Sequence, residues 1–296
     1  MDGFTISVLS NIALFSFLAI SAWLLLVAGE ISFGQQAYFA IGAYVSGIAS
    51  AVWQWPFVFA VLLGALTGAI VAAIVARVTL RLSGLHYAIA TLAFAELLRA
   101  SLNVIHYQRD VDGYLTGPDG ANGFRDIRWV YDAGIGAGQY LSIIVAALVI
   151  VIAAITLITR ARGMAVLRLV GENPTLAAMQ GLSPSRVKTI AAASAGAIAA
   201  IGGGLYAHMA TYIEPAQFSV MIGVHALSYG LIGGLGTVLG PILGVFIDIG
   251  ALETLRIFAG YRMIVFGGLV AVILIWVPRG LLDETLVRRW QTWLRR

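Results

Sequence analysis

Long apolar runs, separated by short polar segments, follow one another along nearly the whole chain. A run of about twenty apolar residues is long enough to cross the hydrocarbon core of a bilayer as a helix. The runs are continuous and do not alternate with a period of two, which predicts helices and excludes a membrane β-barrel. The predicted spans are Val8–Ala28, Phe33–Val52, Phe57–Ala76, Leu85–Ile105, Tyr140–Thr159, Thr189–Thr211, Phe218–Ile232, Ile242–Ala259 and Met263–Val277.

The predicted fold is therefore an all-α membrane protein, a polytopic helical bundle with about nine transmembrane helices. Residues 212–262 leave the number open between roughly eight and ten. Residues 1–296 are expected to form a single transmembrane domain. The first run is expected to be a retained span rather than a signal peptide, because Met1–Phe4 contains no basic residue and no small-residue cleavage site follows.

Composition agrees with a protein that faces lipid. Hydrophobic residues make up 60% of the chain and charged residues only 11%, with a mean hydropathy of +0.93. Soluble domains contain about 25% charged residues, so this chain lacks the polar surface needed to face water on all sides. The 34 glycines fit helices that pack closely in a bilayer. A net charge of +4 gives no indication of nucleic-acid binding.

Basic and acidic residues are unevenly divided among the polar segments. Residues 160–188 contain four arginines and Lys188 against one acid, Glu172, and residues 279–296 are also rich in arginine. Residues 106–139 contain five aspartates and three arginines. The positive-inside rule therefore predicts a cytoplasmic loop at 160–188, a cytoplasmic tail at 279–296 and an extracytoplasmic segment at 106–139.

Residues 171–184, with the sequence GENPTLAAMQGLSP, contain the start and stop signals of a short helix. Asn173 suits the N-cap and Pro174 the first helical position, while Gly181 suits the left-handed position just past the end. A helix of about two turns is not stable alone in water and needs a surface to pack on. The apolar side chains available for that packing are Leu176, Ala177 and Met179. An ordinary capped loop and a helix that docks in a groove of a cytoplasmic partner fit this pattern equally well.

Four segments then carry a family resemblance. They are ENPTLAAMQGLSPSRVK (172–188), GEISFGQQAYFAIGAYVSG (29–47), LSGLHYAIATLAFAELLR (82–99), and GGLGTVLGPILG (233–244) with PRGLL (278–282). They resemble segments of the permease subunits of ATP-binding-cassette importers for branched-chain amino acids. Taken from the N-terminus onward, the four segments occur in the same order as in that family. TGPDG at 116–120 resembles an element of the M-type subunit, with Pro118 in place of that family's second glycine.

The resemblance implies a multi-pass permease subunit in the bacterial inner membrane. Its implied partners are a homologous second permease, two cytoplasmic ATPase subunits and a periplasmic substrate-binding protein. The chain has no G-x-x-x-x-G-K-[ST] motif for ATP phosphates, and no catalytic residue, cofactor or metal site is expected in it. The ATPase-coupling residues implied by the resemblance are Glu172, Asn173, Pro174, Leu176, Ala177, Ala178 and Gly181.

Polar side chains inside the predicted spans are candidates for a translocation path, because such residues are costly in lipid. Glu96 and Arg99 lie three residues apart and are expected to pair, as are Glu253 and Arg256. No basic residue lies within one turn of Asp248 in the sequence, so Asp248 is expected to bond to another helix or to line a wet cavity. The candidate path residues are Gln35, Gln36, Tyr38, Glu96 and Asp248. Plain helix packing explains the glycine- and serine-rich span around Gln35 equally well.

Three other functions are consistent with some of these features. The same architecture could import urea or short amides. A stand-alone secondary transporter would use Asp248 or Glu96 as an ion site, and its uptake would survive ATP depletion but collapse with an uncoupler. An intramembrane enzyme is disfavoured, because the sequence has no G-x-S-x-G, H-E-x-x-H or similar catalytic motif.

Overall fold

The computed structural model of the chain describes residues 2–82, 84–111, 113–158, 162–252, 261–277 and 280–282. Within these ranges the chain forms twelve α-helices and three short strands. The helices are α1 (Gly3–Val27), α2 (Gln35–Gly47), α3 (Phe57–Thr79), α4 (Leu85–Leu102), α5 (Trp129–Asp132), α6 (Ala137–Ile158), α7 (Met164–Glu172), α8 (Pro174–Met179), α9 (Pro184–Ala210), α10 (Val220–Gly233), α11 (Leu239–Val245) and α12 (Arg262–Trp276). Helices α2 and α11 continue as π-helical turns, Ile48–Val52 and Phe246–Leu252.

The helices confirm a multi-pass helical membrane protein but not the number of spans. Among the described residues, α1, α3, α6 and α9 are long and apolar enough to cross a membrane. Shorter apolar helices are α10, α12 and the stretch Leu239–Leu252. Every predicted span overlaps a helix, but nine full crossings are not confirmed. The end of the Ile242–Ala259 span, the Glu253–Arg256 pair and the tail 279–296, apart from 280–282, lie outside the described residues.

Helix α9 lies at the centre of the bundle, and α1, α2 and α3 pack around it. Small residues allow the backbones of α2 and α9 to approach closely: a Cβ atom on Gly203 would overlap the carbonyl oxygen of Phe39, and one on Gly42 would overlap the backbone of Ala200. Helices in lipid gain most of their association energy from such close packing, since there is little hydrophobic effect between them. The α2–α9 contact is therefore a close-packed seam of the bundle.

A buried histidine adds a polar contact between α9 and the π-helical end of α2. His208 is completely buried, and its Nδ1 lies 2.7 Å from the carbonyl oxygen of Gly204. A carbonyl can only accept, so Nδ1 carries the proton and Nε2 accepts from the Ser50 hydroxyl at 2.8 Å. Both ring nitrogens are thus satisfied, and His208 has a structural role.

The predicted extracytoplasmic segment contains β-structure, so the all-α prediction is wrong for residues 106–139. Strands β1 (Arg109–Val111), β2 (Tyr114–Pro118) and β3 (Phe124–Arg125) form an antiparallel sheet in that order. Phe124 also exchanges two backbone hydrogen bonds with Ile213, after the end of α9. This pairing joins residues that are distant in sequence, and the strands are too short to show a periodicity that sequence could reveal.

A small polar network holds the turn between β2 and β3. The Asp119 carboxylate accepts from the Asn122 amide at 2.9 Å and lies 2.8 Å from Nδ1 of His106. The hydrogen bond from Asn122 and, to a smaller extent, the contact with His106 hold the pKa of the Asp119 carboxyl below its usual range. The carboxylate therefore stays ionised, and keeps this network, until the pH falls below the normal range of an aspartate.

Candidate functional site

The short capped helix predicted from the sequence is present as α8. The side chain of Asn173 accepts a hydrogen bond from the backbone N–H of Leu176 at 2.9 Å, Pro174 is the first helical residue, and Gly181 has φ of +81°. These three signals were correctly identified because they act within a few residues of chain. Pro184 begins α9, which therefore starts five residues before the predicted Thr189.

A second helix, α7, lies directly before α8 and was not predicted. Leu167 and Val170, three residues apart, are both buried, and Glu172 is the last residue of α7 and is exposed. Arginines interrupt the apolar residues here, so no long apolar run indicated a helix. The spacing of the buried pair was the one signal in the sequence that could have found it.

The accessible face of α8 differs from the predicted one at one residue. Ala177 is completely buried inside the chain, so it is not available to a partner in this conformation. Leu176 and Met179 are 43% and 80% exposed, and Ala178 is also exposed. The outward face of α8 is therefore a small apolar patch, which we call the docking face, formed by Leu176, Ala178 and Met179.

The α7–α8 unit contacts the ends of other helices. Gly171 packs on the end of α1, since a Cβ atom on Gly29 would lie 2.6 Å from the Gly171 carbonyl oxygen. The Arg168 guanidinium donates to the carbonyl oxygens of Leu235 and Gly236, both at 3.1 Å, in the loop between α10 and α11. A force on the docking face would thus pass through α7 to the end of α1 and to the α10–α11 loop.

An ion pair joins the ends of α1 and α9 beside this unit. Lys188 Nζ lies 2.5 Å from Glu30 Oε1, and the two side chains are 15% and 5% exposed. The other carboxylate oxygen of Glu30 has no hydrogen-bond partner among the described residues. Lys188 is therefore the main compensation for the Glu30 charge within the described structure.

The Asn173 cap gives a first testable prediction. Replacing Asn173 with alanine should cost α8 about 1 kcal/mol of local stability, because the cap would no longer accept the backbone N–H of Leu176. Amide exchange over residues 174–180, followed by mass spectrometry, should accelerate about fivefold. Thr175→Ala, an exposed change within the same helix, is the matched control, and equal acceleration in both variants would show that the cap contributes nothing.

Two of the predicted path residues, Gln35 and Gln36, lie in the buried start of α2. The Ser21 hydroxyl contacts Gln35 Oε1 at 2.5 Å and the Ala195 carbonyl at 2.7 Å. Among the described residues, Nε2 of Gln35 and both amide atoms of Gln36 lack a hydrogen-bond partner. Each unsatisfied buried group costs about 1–3 kcal/mol, so the two amides are candidates for hydrogen bonds to water or to a ligand.

The structure separates the other path candidates. Tyr38 is buried in the apolar core, with its ring centroid 5.8 Å from that of Phe94. Glu96 and Arg99 form the predicted pair at 2.7 Å and are about one-third exposed. That pair is confirmed, but within the described residues neither member forms a hydrogen bond with Gln35 or Gln36.

Asp248 is completely buried and bonds to another helix, as predicted. The Tyr229 hydroxyl donates to Asp248 Oδ2 at 2.7 Å, and His225 Nδ1 lies 3.2 Å from the same oxygen. The π-helical continuation of α11 presents Asp248 to α10, and π-bulges are frequent at functional sites. Sequence reasoning missed His225 and Tyr229, although their spacing of four places them on one face of α10.

Comparison with known proteins finds a matching family model and two similar proteins. Residues 4–277 match the family model described as branched-chain amino acid transport system / permease component. The high-affinity branched-chain amino acid transport system permease proteins LivM of Salmonella typhimurium and Escherichia coli are 26% and 25% identical to this chain in alignments of 276 residues, which cover 88% of it. The chain spans 65% of the length of these relatives. No solved structure matches the chain.

Proposed function

Because the chain belongs to the family of branched-chain amino acid transport system permease components, we propose that it is the membrane-spanning subunit of an ATP-driven importer of branched-chain amino acids. The observation that carries this proposal is the exposed docking face of α8, on a unit that contacts the ends of several helices. The expected location is the bacterial inner membrane, as one half of a pair with a homologous permease.

ATP hydrolysis would take place on separate subunits, since this sequence has no P-loop motif. Two cytoplasmic ATPases would bind the docking faces of the two permeases, with Leu176, Ala178 and Met179 of this chain seated in an apolar groove. Glu172 and Pro174 are exposed beside that face and would lie at its rim. Asn173 and Gly181 would act by holding the ends of α8.

Movement of the docked helix would change the path between the two permeases. Gly171 would transmit it to the end of α1, the Glu30–Lys188 pair from there to α9, and Arg168 to the α10–α11 loop. The unsatisfied amides of Gln35 and Gln36 would then be hydrated when the path opens, which would remove the cost of their burial. Alternation between open and closed states would thus be linked to ATP hydrolysis.

Two further surfaces would receive the other partners. The polar sheet at 106–139 would receive a periplasmic binding protein, which would select the substrate. The partly exposed Glu96–Arg99 pair lies within an apolar helix, where contact with lipid is costly. Helix α4 would therefore face the second permease or the water-filled path.

Co-purification with the cognate ATPase tests the proposal. Ala178→Asp should reduce ATPase retention more than tenfold, because a carboxylate would be buried in an apolar groove without a partner. Ala133→Asp, an exposed alanine in the 106–139 segment, is the matched control and should retain the ATPase. Loss of retention in both variants, or in neither, would contradict the docking face, and a wild-type chain that retains no ATPase would contradict the importer.

The buried Asp248 cluster favours one alternative, a secondary transporter that uses this carboxylate as an ion site. Uptake into cells depleted of ATP but with an intact proton gradient separates the two functions. The importer loses uptake under this condition, whereas the secondary transporter loses it only with an uncoupler. The same architecture could instead import urea or short amides. In that case the cognate binding protein would bind one of those ligands rather than a branched-chain amino acid.

A further inference from the structure

Helix α3 has two faces of opposite character. Every fourth residue on one face is small and buried, and this set consists of Ala60, Gly64, Gly68, Ala72 and Ala76. On this face α3 packs on α9, since a Cβ atom on Gly68 would lie 2.5 Å from that of Ala200. Every fourth residue on the other face is a large aliphatic residue between 49% and 69% exposed, and this set consists of Val58, Leu62, Leu66, Ile70, Ile74 and Val78. We call the second face the α3 stripe.

The α3 stripe has the length and composition of a surface that contacts lipid tails. At about 1.5 Å per residue, Val58 and Val78 are about 30 Å apart, which is the thickness of the hydrocarbon core of a bilayer. Contacts between helices in a bilayer favour small residues and polar bonds, and the stripe provides neither. It differs in this respect from α4, which carries the partly exposed Glu96–Arg99 pair.

Two arginines lie at one end of the α3 stripe. Arg77 is in the last turn of α3 and Arg81 follows one turn later, and both side chains are exposed. Within the described ranges, neither guanidinium forms a hydrogen bond or an ion pair. Residues 31–95 contain no acid, and the two acids that flank them, Glu30 and Glu96, pair with other basic residues. Two cationic groups therefore stand beside the stripe without a contact to any described carboxylate.

The two arginines lie at the end of the bundle that carries α8. Helices α3 and α9 run antiparallel, because Gly68 packs against Ala200 and Gly196, whereas Ala72 packs against Gly196. The end of α3 is therefore beside the start of α9, which follows the basic loop predicted to be cytoplasmic. Anionic lipids give the cytoplasmic leaflet a negative surface, and each basic residue near that surface strengthens binding about fivefold.

We infer that this end of the α3 stripe binds an anionic phospholipid of the cytoplasmic leaflet. Arg77 and Arg81 bind the phosphate, and one acyl chain lies along Ile74 and Ile70. Guanidinium groups suit phosphate because they present several N–H donors in one plane. A zwitterionic lipid binds less well, because its own cation faces the same two arginines. The site belongs to this chain alone and is independent of the transported substrate.

Relaxation of lipid phosphorus by a spin label tests the site in the full chain without any partner subunit. The chain contains no cysteine, so a nitroxide can be attached at Val78→Cys or, as the matched control, at Val58→Cys. In bicelles with equal amounts of phosphatidylglycerol and phosphatidylcholine, the two headgroups give separate phosphorus NMR signals. The label at residue 78 should relax phosphatidylglycerol about threefold more than phosphatidylcholine, whereas the label at residue 58 should relax both equally.

Neutral variants test the two arginines. Arg77→Gln with Arg81→Gln should remove the preference for phosphatidylglycerol at residue 78. Arg109→Gln with Arg125→Gln is the matched control, because it removes the same charge from two exposed arginines of the small sheet, and it should leave the preference unchanged. Equal relaxation of the two lipids in the wild-type background would overturn the proposal. A preference lost in both double variants would also overturn it, since overall charge would then attract the lipid.

Two further outcomes would assign the surface to a different occupant. If millimolar inorganic phosphate at constant ionic strength abolishes the preference, the arginines bind a free anion and not a lipid. If the cognate second permease shields both lipids from the label at residue 78, that subunit covers the stripe. Either result would overturn the lipid site. The labels and substitutions are at exposed positions, and gel filtration checks that each variant is folded.

Discussion

Gly203→Leu should prevent the bundle from assembling. A Cβ atom at this position already overlaps the carbonyl oxygen of Phe39, and the rest of a leucine side chain would have to separate α2 from α9. Overpacking of a core costs about 1–3 kcal/mol when neighbours can adjust. Here the obstacle is backbone, so we expect a loss of about 3 kcal/mol or more. Thermal unfolding in detergent and the monodisperse fraction in gel filtration measure the effect.

The matched control for this prediction lies in α12. A Cβ atom on Gly268 would meet no other atom of the described residues within 4 Å, and Gly268→Leu introduces the same side chain at an equally apolar place in a helix. It should shift the thermal transition by less than about 1 kcal/mol. Equal losses at Gly203 and Gly268 would mean that the substitution disrupts membrane insertion in general, and would contradict the α2–α9 seam.

Lys188→Met should be the second most damaging change. Glu30 is nearly buried, and Lys188 is its partner at 2.5 Å. Removal of one member of a buried pair leaves a charge without compensation, which costs about 3–5 kcal/mol. The same change loosens α9 from the end of α1 beside the α7–α8 unit, so both the unfolding temperature and ATP-driven uptake are expected to fall.

The double variant Glu30→Gln with Lys188→Met separates charge from packing. It removes both charges, so most of the lost stability should return, although the link between α1 and α9 is still broken. Arg99→Met is the control at a partly exposed pair, where we expect a loss of less than about 1 kcal/mol. If the double variant is no more stable than Lys188→Met, the Glu30 charge is not the source of the cost.

The parts of the site that could be predicted were those formed by neighbouring residues. The cap at Asn173, the proline after it and the left-handed Gly181 each act within one turn of chain, so α8 was correctly predicted with its ends. The Glu96–Arg99 pair was predicted for the same reason, since its members share one helix face. The burial of Ala177 could not be predicted, because which side of α8 is buried depends on the part of the chain that the helix packs against.

The parts that were missed depend on contacts between distant segments. The position of helix α7 depends on the packing of Gly171 against Gly29. No local sequence pattern reveals that contact. The small sheet is joined to the rest of the chain through Phe124 and Ile213. The pairing of Asp248 with Tyr229 likewise depends on how α10 and the π-helical turn are arranged.

The sequence by itself therefore determined that this chain is a helical membrane protein with a capped helix in its basic loop. Both follow from the cost of placing polar groups in lipid and from local backbone geometry, which depend on composition and short-range order. Only the tertiary structure decided which helices touch, which face of α8 is free and which side chains surround the buried Asp248 carboxylate. Those features arise when small residues allow two backbones to approach each other. Such a contact depends on both helices at once, so it cannot be inferred from either segment of the sequence alone.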